Sequence, residues 1–309
     1  MTLSVAPMPL FSQEFFDSVI DALAEQRNGD WNLLNADMDQ DRRERDEYIA
    51  NSLRSCALVC KSWYSRSVRH IWSHVCIDNS CSKSHIHALL LHLSSRWKLM
   101  EHIRHVDVHL SDEKADLSHP FLALCSLLPR VPSFRIQSLN DKNPFYDWTQ
   151  SHISRAFKAI CRSYTLTTFF YQGKTFPLQI LSQMPKLSNI SLAGGRDGLL
   201  VSEGQLPVNR PFRDYAQSLE MRLVCARFLH AEAVLMALAE SAPQIFSVLE
   251  EFHLARRSSP PASDYAQAES HHAKIFSLAK NSLRRISLEA GKPLVCKLFS
   301  FRRFPVSCN

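Results

Sequence analysis

The stretch that decides the fold is MPKLSNISL, residues 184 to 192, in which Leu187, Ile190 and Leu192 follow an L-x-x-I-x-L pattern. It returns almost verbatim as KNSLRRISL, residues 280 to 288, with Leu283, Ile286 and Leu288. Working outward, the unit recurs as Ile103-Val106-Val108, Val131-Phe134-Ile136, Leu166-Phe169-Tyr171 and Leu249-Phe252-Leu254. The starts of the six units lie 28, 35, 21, 62 and 34 residues apart, and the long gap leaves room for a degenerate member, LEMRLV, beginning at Leu219. Alternation over such a short run predicts a strand. Apolar stretches of helical character (FLALCSLL, HISRAFKAIC, FPLQILSQM, AEAVLMALAES, AKIFSLAK) separate the strands. Two architectures produce this pattern: a solenoid in which each unit covers its neighbour, or a single α/β domain whose buried strands look alike. The likeness of the two quoted stretches, which exceeds shared hydrophobicity, favours the solenoid.

Upstream of residue 80 the texture differs. PLFSQEFFDSVIDALAEQ predicts a helix starting near Ser12, which can cap it, with Glu14 in the first turn. Phe15, Val19, Ile20 and Leu23 form one apolar stripe on that helix. Between Asp37 and Glu47 nine of eleven residues are charged, a solvated insertion that no core would accept. Then LRSCALVCKSWYSRSVRHIW, residues 53 to 72, places Leu53, Cys56, Val59, Cys60 and Trp63 at helical spacing and carries three arginines, one lysine and no acid. A further helix is expected through Trp72.

The nine cysteines are odd in number, scattered, and mostly set among apolar neighbours, as buried free thiols are in a reducing compartment. The competing metal reading rests on Cys76, Cys81, His85 and His87, which lack a C-x-x-C pair and have irregular spacing. Composition is that of a globular protein, 45% apolar and 21% charged. No run of eighteen apolar residues exists, and no Lys or Arg precedes Arg27, so neither a membrane span nor a secretory signal is expected. The net charge of +6 is concentrated at the end: His271 to Asn309 holds eight basic residues against Glu289 alone. That basic face can be simply solvated or can meet an acidic partner; nucleic acid is not expected, because no nucleic-acid motif accompanies it. The chain ends at FRRFPVSCN without a cap for a last repeat, which suggests truncation or a companion.

Taken together, residues 11 to 75 resemble the F-box in the form common among fungal F-box proteins. FSQEFFDSVIDAL follows the register of the family's first helix, with Phe11 and Ser12 where Leu-Pro is usual; LRSCALVCKSW matches the second block closely, and RSVRHIW the trailing element. The recurring units behind it resemble the degenerate leucine-rich repeats that often follow an F-box. The resemblance implies binding to the Skp adaptor of a cullin-RING ubiquitin ligase, through Phe11, Glu14, Phe15, Val19, Leu53, Val59, Cys60 and Trp63. So small a helical unit cannot hide all its apolar stripes, and each of these residues can belong either to its little core or to the interface.

The expected fold is therefore α/β and mainly helical: a three-helix F-box over 9–78, with a charged insertion at about 27–50, then an irregular leucine-rich-repeat-like solenoid over 79–309. The expected function is substrate recognition for a Skp–cullin–F-box ligase, with an F-box-derived interaction scaffold outside a ligase as the alternative. No enzyme, cofactor or metal is expected: there is no G-x-S-x-G elbow, no phosphate loop and no H-E-x-x-H, and AGGRDG, residues 193 to 198, lacks the phosphate-binding lysine. A protein target is expected on the sheet positions that alternate with the apolar ones: His105, Asp107, Arg135, Phe170, Glu251, His253 and Arg285, joined by His109 and Asn189. The expected location is intracellular, in the cytoplasm, the nucleus or both.

Overall fold

In the computed structural model the described residues are 12–28, 39–78, 83–110, 123, 128, 130–138, 160–195, 198–202, 216, 219–256, 262–290 and 306–307. The chain divides into two compact units, the first comprising 1–74 and 98–103, the second 75–97 and 104–309.

The first unit contains α1 (Gln13–Asn28), α2 (Asp39–Ala57) and α3 (Lys61–Ser73). Ser12 caps α1 as its position suggests: the Phe15 backbone N–H donates to the Ser12 hydroxyl at 3.3 Å. The core of the unit is Ile20 of α1 with Ile49 and Leu53 of α2, against which Leu23, Cys56, Trp63 and Ile71 pack. From Asp39 onward the charged run is helical, since α2 begins there. Leu53 to Trp63 is not one helix. Leu58 to Cys60 form a corner, with the Val59 N–H donating to the Cys56 carbonyl, and α3 starts only at Lys61. Helical spacing had counted straight through a turn of nearly the same pitch.

The basic charges of α3 do not all face solvent either. Arg66 donates from Nε to Oδ1 of Asp21 on α1 at 2.9 Å and pairs through Nη2 with Oδ2. His70 Nε2 lies 2.7 Å from the same Oδ1. Hydrogen bonds from Arg66, and secondarily from His70, hold the Asp21 carboxyl at a pKa of about 2. The clamp ties α3 to α1 across their polar edge.

The second unit is organised by one sheet, parallel from its second strand to its last. Its strands are β1 (His74–Asp78), β2 (His105–Leu110), β3 (Ser133–Ser138), β4 (Thr168–Gly173), β6 (Asn189–Gly194), β8 (Cys225–Leu229), β9 (Glu251–Arg256), β10 (Arg285–Ala290) and β11 (Val306–Ser307), in that spatial order. β5 (Thr175–Pro177) and β7 (Leu200–Ser202) make a separate parallel pair. The described helices of this unit are α4 (Lys83–Ser95), α5 (Glu232–Ser241) and α6 (Ala262–Leu278), with 3₁₀ turns at Leu178–Gln183 and Pro243–Phe246.

Register places like with like. Val106, Phe134, Phe169, Ile190, Ala226, Phe252 and Ile286 form one row across β2 to β10. All seven are buried, and the Phe134 and Phe169 rings lie 6.3 Å apart. The lead residue of each expected unit (Ile103, Val131, Leu166, Leu187, Leu249, Leu283) is buried too. Just after it, one carbonyl accepts two successive N–H groups of the next strand: Thr167 from Ser188 and Asn189, Val224 from Glu250 and Glu251, Glu250 from Arg284 and Arg285. A one-residue slip would turn every apolar side chain onto the polar face, so register is strongly specified.

Two expectations need correction. The fold is α/β as expected, but the architecture of a three-helix F-box followed by an irregular leucine-rich-repeat-like solenoid gives way to one built on a continuous nine-stranded sheet. Among the described residues, the connections between strands do not share a repeated design. β4 reaches β6 through β5 and a 3₁₀ turn, β8 reaches β9 through α5 and a 3₁₀ turn, and β9 reaches β10 through α6. The apolar triplet reports only what any buried parallel strand needs, and carries no information about the return path. Three helices are present in the first unit, but their packing alone does not identify an F-box. The degenerate member was also misplaced: the strand is β8, led by Leu223 with Ala226 and Phe228 inward, and no strand covers Leu219. Ala226 is too small to register as a hydrophobic beat.

Candidate partner-binding surfaces

Of the expected adaptor-binding residues, Phe11 lies outside the described residues, and the others separate by burial. Leu53 is fully buried in the small core and is a structural residue. Trp63 is half-buried: it packs on that core, and its ring lies 4.7 Å from Phe16 of α1. Glu14 and Cys60 are exposed. Phe15 (48% exposed) and Val19 (41%) protrude from α1, while Leu58 (87%) and Val59 (60%) protrude from the α2–α3 corner. The stripe on α1 is wider than its core can cover, so Ile20 goes in while Phe15 and Val19 stay out. Phe16, edge-on to Phe15 at 5.6 Å and tilted against Trp63, links the α1 patch to the start of α3. Sequence spacing missed Leu58 and Tyr64, the latter 50% exposed. Leu58 was hidden by counting the corner as helix, although the block ALVCKSW contains it.

The expected target-binding residues do fall on one sheet face, His109 in a row with Gln137 and the others in two adjacent rows. Asp107, Arg135, Phe170, Ser191, Arg227, His253 and Ser287 form the first. His105, Ser133, Thr168, Asn189, Cys225, Glu251 and Arg285 form the second. Arg227, central in the first row, was missed because β8 was misplaced. The face is not uniform. On β2 to β4, Asp107, His109, Arg135, Gln137 and Phe170 are all buried, and the Arg135 guanidinium lies 4.3 Å from the Phe170 ring centroid as a cation–π pair. These residues are enclosed and are not an open surface. On β8 to β10 the face is accessible. Glu251 receives an N–H from Arg285 Nη1 at 3.0 Å through Oε1, and its Oε2 lies 3.7 Å from Arg227 Nη2. The Cys225 thiol donates weakly to Glu251 at 3.9 Å, and burial pushes its pKa up, so it stays protonated.

The metal reading of Cys76, Cys81, His85 and His87 has no described geometry behind it, since Cys81 lies outside the described residues. Cys76 is exposed on β1, while His85 and His87 are exposed on α4. Cys161, by contrast, is fully buried, and burial raises its pKa far above the ordinary thiol value. No helix among the described residues is long and apolar enough to cross a membrane. No protein-family model matches this chain, and no curated protein sequence does.

Proposed function

We propose that this protein is a substrate-recognition adaptor of a Skp–cullin ubiquitin ligase, working inside the cell. Its N-terminal helices bind the Skp adaptor, and its sheet unit holds a protein target. The observation that carries this reading is the set of four apolar side chains, Phe15, Val19, Leu58 and Val59, left exposed beside a small core that is already closed by Ile20, Ile49 and Leu53. Two of them lie within the F-box-like block LRSCALVCKSW, and the other two on the F-box-like first helix. A partner's apolar surface seated on these positions removes them from water, which is the usual origin of affinity at such an interface. The chain then performs no bond chemistry. It raises the concentration of a bound target near the ligase, an effect of proximity alone.

The test is binding of the full chain to a purified Skp adaptor by calorimetry. The wild-type chain is expected to bind, and the double variant Phe15→Asp with Val59→Asp to lose on the order of a hundredfold in affinity, as for removal of central interface anchors. Both positions are exposed, so the variant keeps its helical content. Failure of the folded wild-type chain to bind at concentrations of about 10 μM, where weak interfaces are still detected, ends the ligase reading in favour of a scaffold acting outside one.

A further inference from the structure

The sheet face narrows where a target can sit and what it must carry. Its β2 to β4 half is closed, because Asp107, Arg135 and Phe170 are buried. What remains open is the β8 to β10 half, where Arg227, Glu251 and Arg285 cluster near the strand starts, with Glu289 at a register position of the same face further along β10. We propose that this half of the face binds an acidic peptide segment of the target, by taking one Asp or Glu carboxylate on the Arg227–Arg285 pair. The inference rests on the adaptor reading above and specifies the target's chemistry.

The arrangement already contains a carboxylate in the pose required. Glu251 sits between the two guanidinium groups, with Oε1 on Arg285 and Oε2 towards Arg227. One carboxylate cannot satisfy both arginines: the Arg227 contact is 3.7 Å, too long for a hydrogen bond, whereas the Arg285 contact is 3.0 Å. Arg285 also keeps most of its side chain in solvent, 71% exposed, while using one Nη1–H on Glu251. Its guanidinium has five N–H donors in a planar fork suited to carboxylate. Within the Arg227–Glu251–Arg285 cluster two positive groups stand against one negative, an excess of one charge that a single carboxylate neutralises. A phosphoryl group, carrying close to two charges, exceeds that excess and meets stronger repulsion from Glu251 than a carboxylate does. Arg227 is the anchor, with only 16% of its side chain exposed. Its partial burial strengthens an ion pair relative to one in open water.

The experiment uses the full chain and fluorescein-labelled peptides of about ten residues, alternating Ala with Glu, with Gln or with phosphoserine, read by fluorescence anisotropy at low salt. The Glu peptide should bind measurably and the Gln peptide should not. Arg285→Gln, a change at an exposed position, should weaken the Glu peptide about tenfold, the loss expected for one charge-assisted pair. Glu251→Gln should tighten it several-fold by removing the internal competitor. Equal binding of Glu and Gln peptides, or indifference to Arg285→Gln, overturns the assignment, and so does preference for the phosphoserine peptide. Binding of the Skp adaptor is measured on the same preparations. A chain that binds the adaptor but not the Glu peptide refutes this inference alone; one that binds the peptide but not the adaptor refutes the ligase reading.

Discussion

Replacing Leu53 with Ala and, separately, Val59 with Ala separates core from surface within one short stretch. Leu53 is fully buried against Ile20 and Ile49, so truncation removes buried methyl groups and leaves a void; such changes destabilise by about 2–5 kcal/mol. Val59 is 60% exposed, so less than half of its side chain is shielded. Full burial of a valine is worth about 1.5–3 kcal/mol, and its truncation should therefore cost less than about 1 kcal/mol. A small helical unit has only a few kcal/mol of net stability, so the first change should unfold an appreciable fraction of it and the second should not. Urea unfolding of the full chain followed by circular dichroism at 222 nm reads the difference. The Leu53→Ala curve should begin to lose helix at clearly lower urea, while the Val59→Ala curve overlays the wild type. Adaptor binding should fall in the Val59 variant with no change in unfolding midpoint. Equal destabilisation by the two substitutions would refute the placement of Val59 on the surface, and with it the argument that the corner is kept apolar for a partner.

Asp21→Asn removes the clamp to Arg66 and His70. The Asp21 pKa falls from 3.8 to about 2, and because the site is about one-third exposed the loss at pH 7 should be about 1 kcal/mol. A carboxylate with a depressed pKa stabilises above its unfolded value and ceases to as pH drops through the folded one. The wild-type advantage over the variant should therefore be full above about pH 5, shrink as pH falls through the two pKa values, and be gone by about pH 1 in urea titrations; an advantage unchanged across that window would contradict the clamp. At Gly194 an added Cβ would lie 2.3 Å from the Leu199 nitrogen and 2.4 Å from the His230 carbonyl oxygen, so Gly194→Ala must displace backbone. It should cost about 1–3 kcal/mol, visible as a lower thermal midpoint. Iodoacetamide should label exposed Cys60 in the native protein and reach buried Cys161 only after denaturation, checked by peptide mass mapping. Native labelling of Cys161 would contradict its burial.

How much was legible in the sequence differs from segment to segment. The strands at Phe134, Phe169, Ile190, Phe252 and Ile286 were legible because a strand buried on one face must alternate, and a large side chain announces each inward position. β8 was not, because Ala226 meets Phe252 and Ile190 across the sheet with too little surface to mark the pattern. The alternation also put Arg135, Glu251 and Arg285 correctly on one face, since period two follows from backbone geometry alone.

Local pattern by itself determined which residues are apolar, where six of the strands and the capped first helix lie, and that a basic, cysteine-bearing stretch near the N-terminus resembles an F-box block. Tertiary structure alone decided that Leu53 is sealed while Val59 is open, that Arg66 turns inward to Asp21, that half of the polar sheet face is closed, and that one continuous sheet, with unlike connections among the described residues, replaces a repeating design. The physical reason is range. Periodicity is set by neighbours a few positions away along the chain, whereas burial and charge pairing depend on segments tens of residues distant that pack against the same side chain.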